Sequence, residues 1–333
     1  MNMHVAMYYN NRDVRIEEIP KPQIGPDELL VKVKASGICG SDVMEWYRLK
    51  KAPLVLGHEI TGEVVEAGAN VKKYKVGNRI FVSHHVPCNT CHYCLSGNHT
   101  VCETLHTTNY YPGGFSEYIR VPAINVERGV FILPEEVSFE EGTFIEPLAC
   151  VLRGQRMVNL QPEQTVLILG VGISGLLHLL VARAKGTKRI IITDINEFRL
   201  KIAKELGASC VIDAKEDLVE RSVDQVIVCT SNLSAFQQAL KCVDRAGTIL
   251  CFAPTEPGIN LPIPVNDFWR LSIKIIHSYG GSPRDIKEAI ELLRRKTIPV
   301  EKLITHRLNL KEASLGFHLV SEAKDCLKVI LVP

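Results

Sequence analysis

Two textures of hydrophobic and polar positions divide the chain. Up to about residue 150, short runs rich in Val and Ile recur between Gly and Pro: LLVKVKASGICG, ITGEVVEAG, RIFVSHHVPC and FSEYIRVP. Alternating, β-branched runs of this length bounded by turn residues predict short strands, many loops and little helix. From about residue 165, strand-like and helix-like patterns alternate. VLILG at 166–170 leads into a helical stretch at 174–185, and RIIITD at 189–194 leads into FRLKIAKELG, which Gly207 is placed to stop. CVID, QVIVCT, a helical LSAFQQALKCV, GTILCFAP and IKIIHSYGG follow. Six apolar strands, most of them separated by helices, predict an α/β fold with a doubly wound parallel sheet. After Gly281 come an amphipathic PRDIKEAIELLRRK, a strand-like HRLNL, a helical EASLGFHLVSEA and a strand-like CLKVILVP. Periodicity alone lets these pieces either extend the parallel sheet or return to the first half.

Composition narrows the class. At 333 residues the chain favours about two domains, each large enough for its own core. With 46% hydrophobic and 23% charged residues, neither disorder nor a membrane-embedded chain fits. The longest apolar run, 166–182, approaches the length of a membrane span, but three glycines, Ser174 and His178 interrupt it. A net charge of +2 is too small to suggest binding to nucleic acid or a membrane surface. The first residues, MNMHVAMYYNNRD, lack the basic and apolar succession of a secretory signal. Of eleven cysteines, four fall between positions 88 and 102 and the rest are scattered, several in apolar segments. Clustered thiols in a large chain read as metal ligands and scattered ones as small hydrophobes, so a reducing, cytoplasmic setting is expected.

Gly170, Gly172 and Gly175 stand in G-x-G-x-x-G spacing, with Ile173 inside the motif, between an apolar strand and a helix. The first glycine permits a tight turn, the second close approach of a pyrophosphate, and the third close helix packing. The helix N-terminus adds free N–H groups and a positive dipole end. Asp194 ends the next strand, where an acid accepts hydrogen bonds from the adenine ribose hydroxyls and repels a 2′-phosphate, so NAD is the expected cofactor rather than NADP. Arg199 is a candidate neighbour of the adenosine. The bland reading keeps the glycines for packing, Asp194 as a helix cap and Arg199 as a solvated helix residue.

Cys88, Cys91, Cys94 and Cys102 form C-x2-C-x2-C-x7-C. Four thiolates close a tetrahedral zinc site and leave no place for substrate, which suits a structural role. An iron–sulfur cluster uses the same ligand type and is the alternative. A second, dispersed group comprises Cys39 in GICGSD, His58 and Glu59 in GHEITG, and Glu146 in FIEPLAC. Thiolate, imidazole and carboxylate make a mixed set with room for a water or substrate oxygen, as in a catalytic zinc site. Spacing does not establish that these residues meet, and a buried Cys39 and a helix-capping Glu146 are ordinary alternatives.

The string GHEITGEVVEAGANV at 57–71, with GICGSD before it, the four-cysteine loop and GGFSEY after it and GVGISG downstream, resembles the zinc-containing medium-chain dehydrogenases over essentially the whole chain. The EPLAC segment makes it most similar to sorbitol (polyol) and threonine dehydrogenases. The resemblance implies a GroES-like β-rich catalytic domain at 1–150 and 282–333 and an NAD-binding Rossmann domain at 151–281. It implies two zincs per chain: a catalytic one on Cys39, His58 and either Glu59 or Glu146, and a structural one on the four-cysteine loop. Ser41 matches the family's proton-relay hydroxyl, so the implied reaction moves the proton of a zinc-polarised alcohol through Ser41 and its hydride to nicotinamide. A hydroxyl suits this role because it both donates and accepts.

The sequence departs from the pattern at three places. Met44 stands where polyol dehydrogenases usually carry the relay histidine, Glu45 where many carry tyrosine, and Asn78 in VGNRI where an aspartate is usual. The expected function is NAD-dependent oxidation of a secondary alcohol, a polyol or sugar alcohol, to a ketone. Threonine or another amino alcohol, or a short diol such as butanediol, is the alternative within the same chemistry. A non-catalytic NAD-binding zinc protein is the alternative outside it. Trp46, Tyr110 and Tyr111 are candidate pocket residues with packing as the plainer role. The expected partners are the small-molecule alcohol and further copies of the chain in a homodimer or homotetramer, with no nucleic acid and no membrane.

Overall fold

A computed structural model describes residues 1–216 and 220–333. The chain divides into two compact units, Met1–Ala149 with Ser282–Pro333, and Cys150–Gly281.

The first unit is built on a mixed sheet. Its strands lie in the order Ile304–Asn309, Lys328–Val332, Leu29–Gly37, Glu59–Ala67, Arg79–Val82 and Val130–Ile132, and Tyr118–Val121 also pairs with Leu29–Gly37. All pairings are antiparallel except that of Ile304–Asn309 with Lys328–Val332. Leu29–Gly37 is buried at nearly every position, as a strand covered on both faces must be. A smaller sheet, Asp13–Pro20, Asn2–Asn10 and Leu54–Val55, shares its core with the helix Ala313–Glu322. There Phe317 sits between Tyr8 and Phe115, with ring centroids 5.4 and 5.6 Å away. The helix Pro283–Arg294 starts where local chemistry dictates, with Ser282 and Asp285 forming a capping box and Pro283 at its first position.

The second unit carries six parallel strands in the order Cys210–Asp213, Arg189–Asp194, Thr165–Leu169, Val223–Val228, Val243–Cys251 and Lys274–His277. Counted along the chain this is 3-2-1-4-5-6, the doubly wound order, as the alternating pattern predicts. The order reverses beside Thr165–Leu169, so the loop after that strand opens at the point where such sheets bind ligands. The apolar run at 166–182 is divided between this strand and the helix Ile173–Ala184. Among the described residues no helix is long and apolar enough to cross a membrane.

His178 points from that helix into the core of the second unit, fully buried, with its ring 4.5 Å from Phe252 in an edge-on contact. Burial, with a smaller contribution from Lys185, lowers its pKa from 6.5 to about 3, so the folded state refuses a proton that the unfolded chain accepts. Stability is therefore independent of this group above pH 6.5 and falls as pH drops from 6.5 towards 3, by up to about 1.4 kcal/mol per pH unit. His178→Leu should flatten this decline, which thermal midpoints of the two proteins at pH 7.5 and pH 5 will show. An equal fall in both would exclude the buried imidazole as its source.

Candidate functional site

The mixed sheet gathers the dispersed residues. Cys39 lies just past the end of Leu29–Gly37, and His58 and Glu59 stand at the start of the strand beside it, with Gly37 directly opposite Glu59. Ligand atoms of Cys39, His58 and Glu59 all come within 4.8 Å of one another. Glu146, in the first turn of the helix Ile145–Met157, is outside this trio, although its charge is felt at Glu59. Thiolate, imidazole and carboxylate at this spacing fit a borderline-soft divalent metal.

Each donor is held by a neighbour. Cys39 caps a 3-10 turn, Gly40–Val43, and its Sγ accepts hydrogen bonds from Ser41 N at 3.5 Å and Ser41 Oγ at 3.4 Å. Asp42, completely buried, accepts from Cys39 N at 3.0 Å and faces His58 Nδ1 at 3.4 Å. Binding the histidine by Nδ1 leaves Nε2 for a metal, the arrangement in which an outer carboxylate fixes ring orientation. Burial opposes charge on His58, but Asp42 and Cys39 outweigh it and hold its pKa well above the usual range. Burial likewise raises Asp42, and His58 and Arg48 overcome it, so its carboxyl stays below the ordinary value.

Glu59 is paired with Lys328, the first residue of Lys328–Val332, and both are almost wholly buried. Lys328 Nζ also lies 3.4 Å from Ile38 O and 5.5 Å from the centre of the Phe144 ring. Desolvation is the largest influence on Glu59 and leaves its pKa raised despite the ammonium. Gly37 separates the two side chains: a Cβ there would lie 2.4 Å from Glu59 Oε2 and 2.7 Å from Lys328 Cε. No bulkier residue fits between them.

His84 and His85 complete the surroundings. Ring centroids are 5.0 Å apart for His58 and His84, and 3.9 Å for His84 and His85. Burial and the neighbouring cations hold His84 far below the usual imidazole range and His85 at about 4, so both are neutral at pH 7. The sequence singled out none of Asp42, Arg48, His84, His85 or Lys328. Lys328 carried a signal, a lone cation in the apolar run CLKVILVP, which must find a counter-charge if buried. Among the candidate pocket residues, Tyr110 is buried and donates to Gly57 O at 3.1 Å, whereas Tyr111 is exposed. Glu45 accepts from Asn11 N at 3.0 Å, tying it to the first hairpin. Asn78 accepts from Lys75 N at 2.9 Å and so shapes the turn it occupies.

In the cysteine loop, all four Sγ atoms lie within 4.8 Å of one another, with Cys88–Cys94 at 3.9 Å and Cys91–Cys94 at 3.5 Å. A tetrahedron with metal–sulfur bonds of about 2.3 Å has edges of about 3.8 Å, so the donors fit a zinc ion. Thr90 and Cys91 donate backbone N–H groups to Cys88 Sγ, and with the Thr90 side chain they lower its pKa to about 5. Burial and Cys91 raise Cys94 to about 12. Positive φ at Asn89 (61°) and Gly97 (79°) lets so short a loop fold around its thiols.

In the second unit the glycines of the motif differ in what they permit. Gly170 has φ of 85°, and a Cβ at Gly175 would stand 2.2 Å from Gly170 O. At Gly172 a Cβ would meet only Arg199, at 3.8 Å, so this is the open side, from which a phosphate can approach the backbone. The helix that begins at Ile173 has no side-chain cap. Asp194, 7% exposed, accepts from Val171 N at 2.7 Å and Asn196 N at 2.9 Å, which fixes its carboxylate beside the loop. These features fit a dinucleotide.

Comparison with known proteins agrees with this chemistry. The profile of the alcohol dehydrogenase GroES-like domain matches residues 25–131, and that of the zinc-binding dehydrogenases matches residues 174–295. Sorbitol dehydrogenase of Bacillus subtilis is 32% identical over 100% of this chain and 98% of its own. L-threonine 3-dehydrogenase of a Chelativorans species is 31% identical, covering 91% and 90%. The crystal structure of 2R,3R-butanediol dehydrogenase from Bacillus subtilis superimposes with a TM-score of 0.87 at 28% identity, covering 99% of each chain.

The Glu59–Lys328 pair can be tested on stability alone. Lys328→Met strands a buried carboxylate, which should cost about 3–5 kcal/mol at neutral pH. Since the carboxyl of the fold then titrates above the 4.5 of an unfolded glutamate, the loss shrinks as pH falls towards 4.5. Adding Glu59→Gln should restore part of the thermal midpoint at pH 7.5. A Lys328→Met midpoint equal to that of the unaltered protein across this range would show that the pair contributes nothing.

Proposed function

Since the chain belongs to the zinc-containing medium-chain dehydrogenases, we propose that it oxidises a secondary alcohol, a polyol or sugar alcohol, to the ketone with NAD as hydride acceptor. One observation carries this reading: the mixed trio of Cys39, His58 and Glu59, with Ser41 Oγ 3.4 Å from the cysteine sulfur. Cys39, His58 and Glu59 hold the catalytic zinc, with Glu146 as the second carboxylate near enough to influence the third position. Cys88, Cys91, Cys94 and Cys102 hold the structural one. When bound, the catalytic zinc withdraws charge from the substrate hydroxyl and the nicotinamide takes up the hydride.

The chain's own groups do the rest. Ser41 meets the hydroxyl and its proton, Asp42 keeps His58 in the orientation that presents Nε2, and Lys328 sustains Glu59 as a buried carboxylate. Gly170, Gly172, Ile173 and Gly175 receive the pyrophosphate at the helix N-terminus. Asp194 accepts from the ribose hydroxyls, with Arg199 beside the adenosine, and the acid disfavours a 2′-phosphate. L-threonine and short diols belong to the same assay, because relatives named for them match nearly the whole chain.

Purified protein should form NADH from at least one member of a panel of sorbitol, other polyols, L-threonine and 2,3-butanediol, with NAD preferred over NADP. Loss of a metal's charge stabilisation is worth several kcal/mol, so Cys39→Ala should lower turnover on the order of 1,000-fold while NAD still quenches protein fluorescence. NAD binding with no zinc-dependent NADH formation from any alcohol would favour a non-catalytic role.

The same reading includes a cytoplasmic homodimer or homotetramer. Thiolate ligands require a reducing setting. The strand Lys274–His277 is an open sheet edge, and Trp269 (77% exposed) and Val265 (72%) stand on the helix just before it. A second copy pairing there would cover both the edge and the apolar side chains. Trp269→Glu should then yield monomers by light scattering; an unchanged mass would place the contact elsewhere.

A further inference from the structure

We infer that Arg48 is the positioning residue of the metal centre, acting through Ser41 on Cys39 and through Asp42 on His58; this rests on the reading that Cys39, His58 and Glu59 hold zinc. Arg48 Nε donates to Ser41 O at 2.9 Å, and Nη2 lies 3.1 Å from Ser41 Oγ and 3.2 Å from Asp42 Oδ1. Its side chain is 15% exposed, and its guanidinium carbon sits 4.6 Å from the centre of the Tyr47 ring, which steadies the group. Two of the three metal donors thus depend on one cation at one remove.

The first arm sets the serine. A hydroxyl has one proton and two lone pairs. Ser41 gives its proton to Cys39 Sγ and one lone pair to Arg48, leaving a single lone pair for a substrate hydroxyl. Because a guanidinium carries only donors and stays charged, Ser41 cannot pass a proton on to Arg48. The cation polarises the Ser41 O–H towards the cysteine sulfur, so that arm moderates the charge of the thiolate. The second arm sets the histidine. Asp42 is fully buried, and without Arg48 it would face His58 as its remaining charged partner, with greater freedom to swing away from Nδ1. A lysine keeps the charge but cannot reproduce a planar fork that reaches Ser41 O, Ser41 Oγ and Asp42 together.

The test is zinc release from the purified holoprotein into excess chelator, with the four-cysteine loop as an internal reference. Outer partners of metal ligands are worth roughly 10- to 100-fold in affinity, so Arg48→Met should speed the loss of one zinc by at least about 10-fold and leave the other unchanged. Arg48→Lys should speed the same zinc by a smaller factor, and it decides the matter if Arg48→Met does not fold by circular dichroism. Cobalt exchanged into the labile position should show a shifted sulfur-to-cobalt absorption band in either variant, a change that a merely structural arginine would not cause. Unchanged release and an unchanged band, or equal acceleration of both zincs, overturns the role of Arg48. If the protein instead binds only the loop zinc, and Cys39→Ala leaves the metal count unaltered, the metal reading itself fails and the inference with it.

Discussion

The organisation of the first unit turns on a carboxylate and an ammonium that have both left water. Glu59 and Lys328 are separated by 269 positions and meet across Gly37, on the two strands that flank Leu29–Gly37. Removing two ions from water costs several kcal/mol each, and only close opposition offsets it. The same rule governs the rest of the site: buried Asp42 is answered by Arg48 and His58, and the cysteine sulfur by the amide and hydroxyl of Ser41. The sheet therefore does more than support the donors. Its strand Lys328–Val332 supplies the ammonium that offsets Glu59, and the turn and short helix that follow Leu29–Gly37 supply the partners of His58 and Cys39.

This compensation separates the two candidate metal centres in kind. The cysteine loop is assembled from residues close in sequence, with its sulfurs stabilised by nearby backbone N–H groups. The mixed trio draws on two separate stretches of chain, at Cys39 and at His58–Glu59, and on the side chains of Arg48 and Lys328 from two more. A local site needs a short loop with the right backbone turns, whereas a dispersed site needs the whole sheet in register, since a slip of one residue would turn Glu59 to the opposite face.

The two units differ in the same way in how far they could be read from the residues. In the second, most strands are runs of apolar residues set between helical patterns, and right-handed crossovers leave few topologies, so the parallel order follows from local signals, although the short helix Val265–Leu271, which has no side-chain cap, is not among them. The glycine spacing is equally local. The first unit joins strands far apart in the sequence, and its short runs do not announce their partners. Spacing alone left Cys39, His58 and the two glutamates unconnected, and only resemblance joined them; the structure puts Glu59, not Glu146, in the trio. Arg48 is one of many surface-like arginines in the sequence, and nothing local reveals that its fork reaches two residues beside the metal donors.

Gly37 carries a consequence for the order of synthesis. The partner that the glycine admits beside Glu59 opens the strand Lys328–Val332, so a ribosome has made the whole second unit and most of the first before Lys328 exists. Until then the acid at 59 either stays hydrated or binds a proton, and the strand that begins with it has no reason to bury that end. The centre around Cys39 is thus closed by a strand translated after every other described strand of its unit, whereas the cysteine loop has all its donors by residue 102.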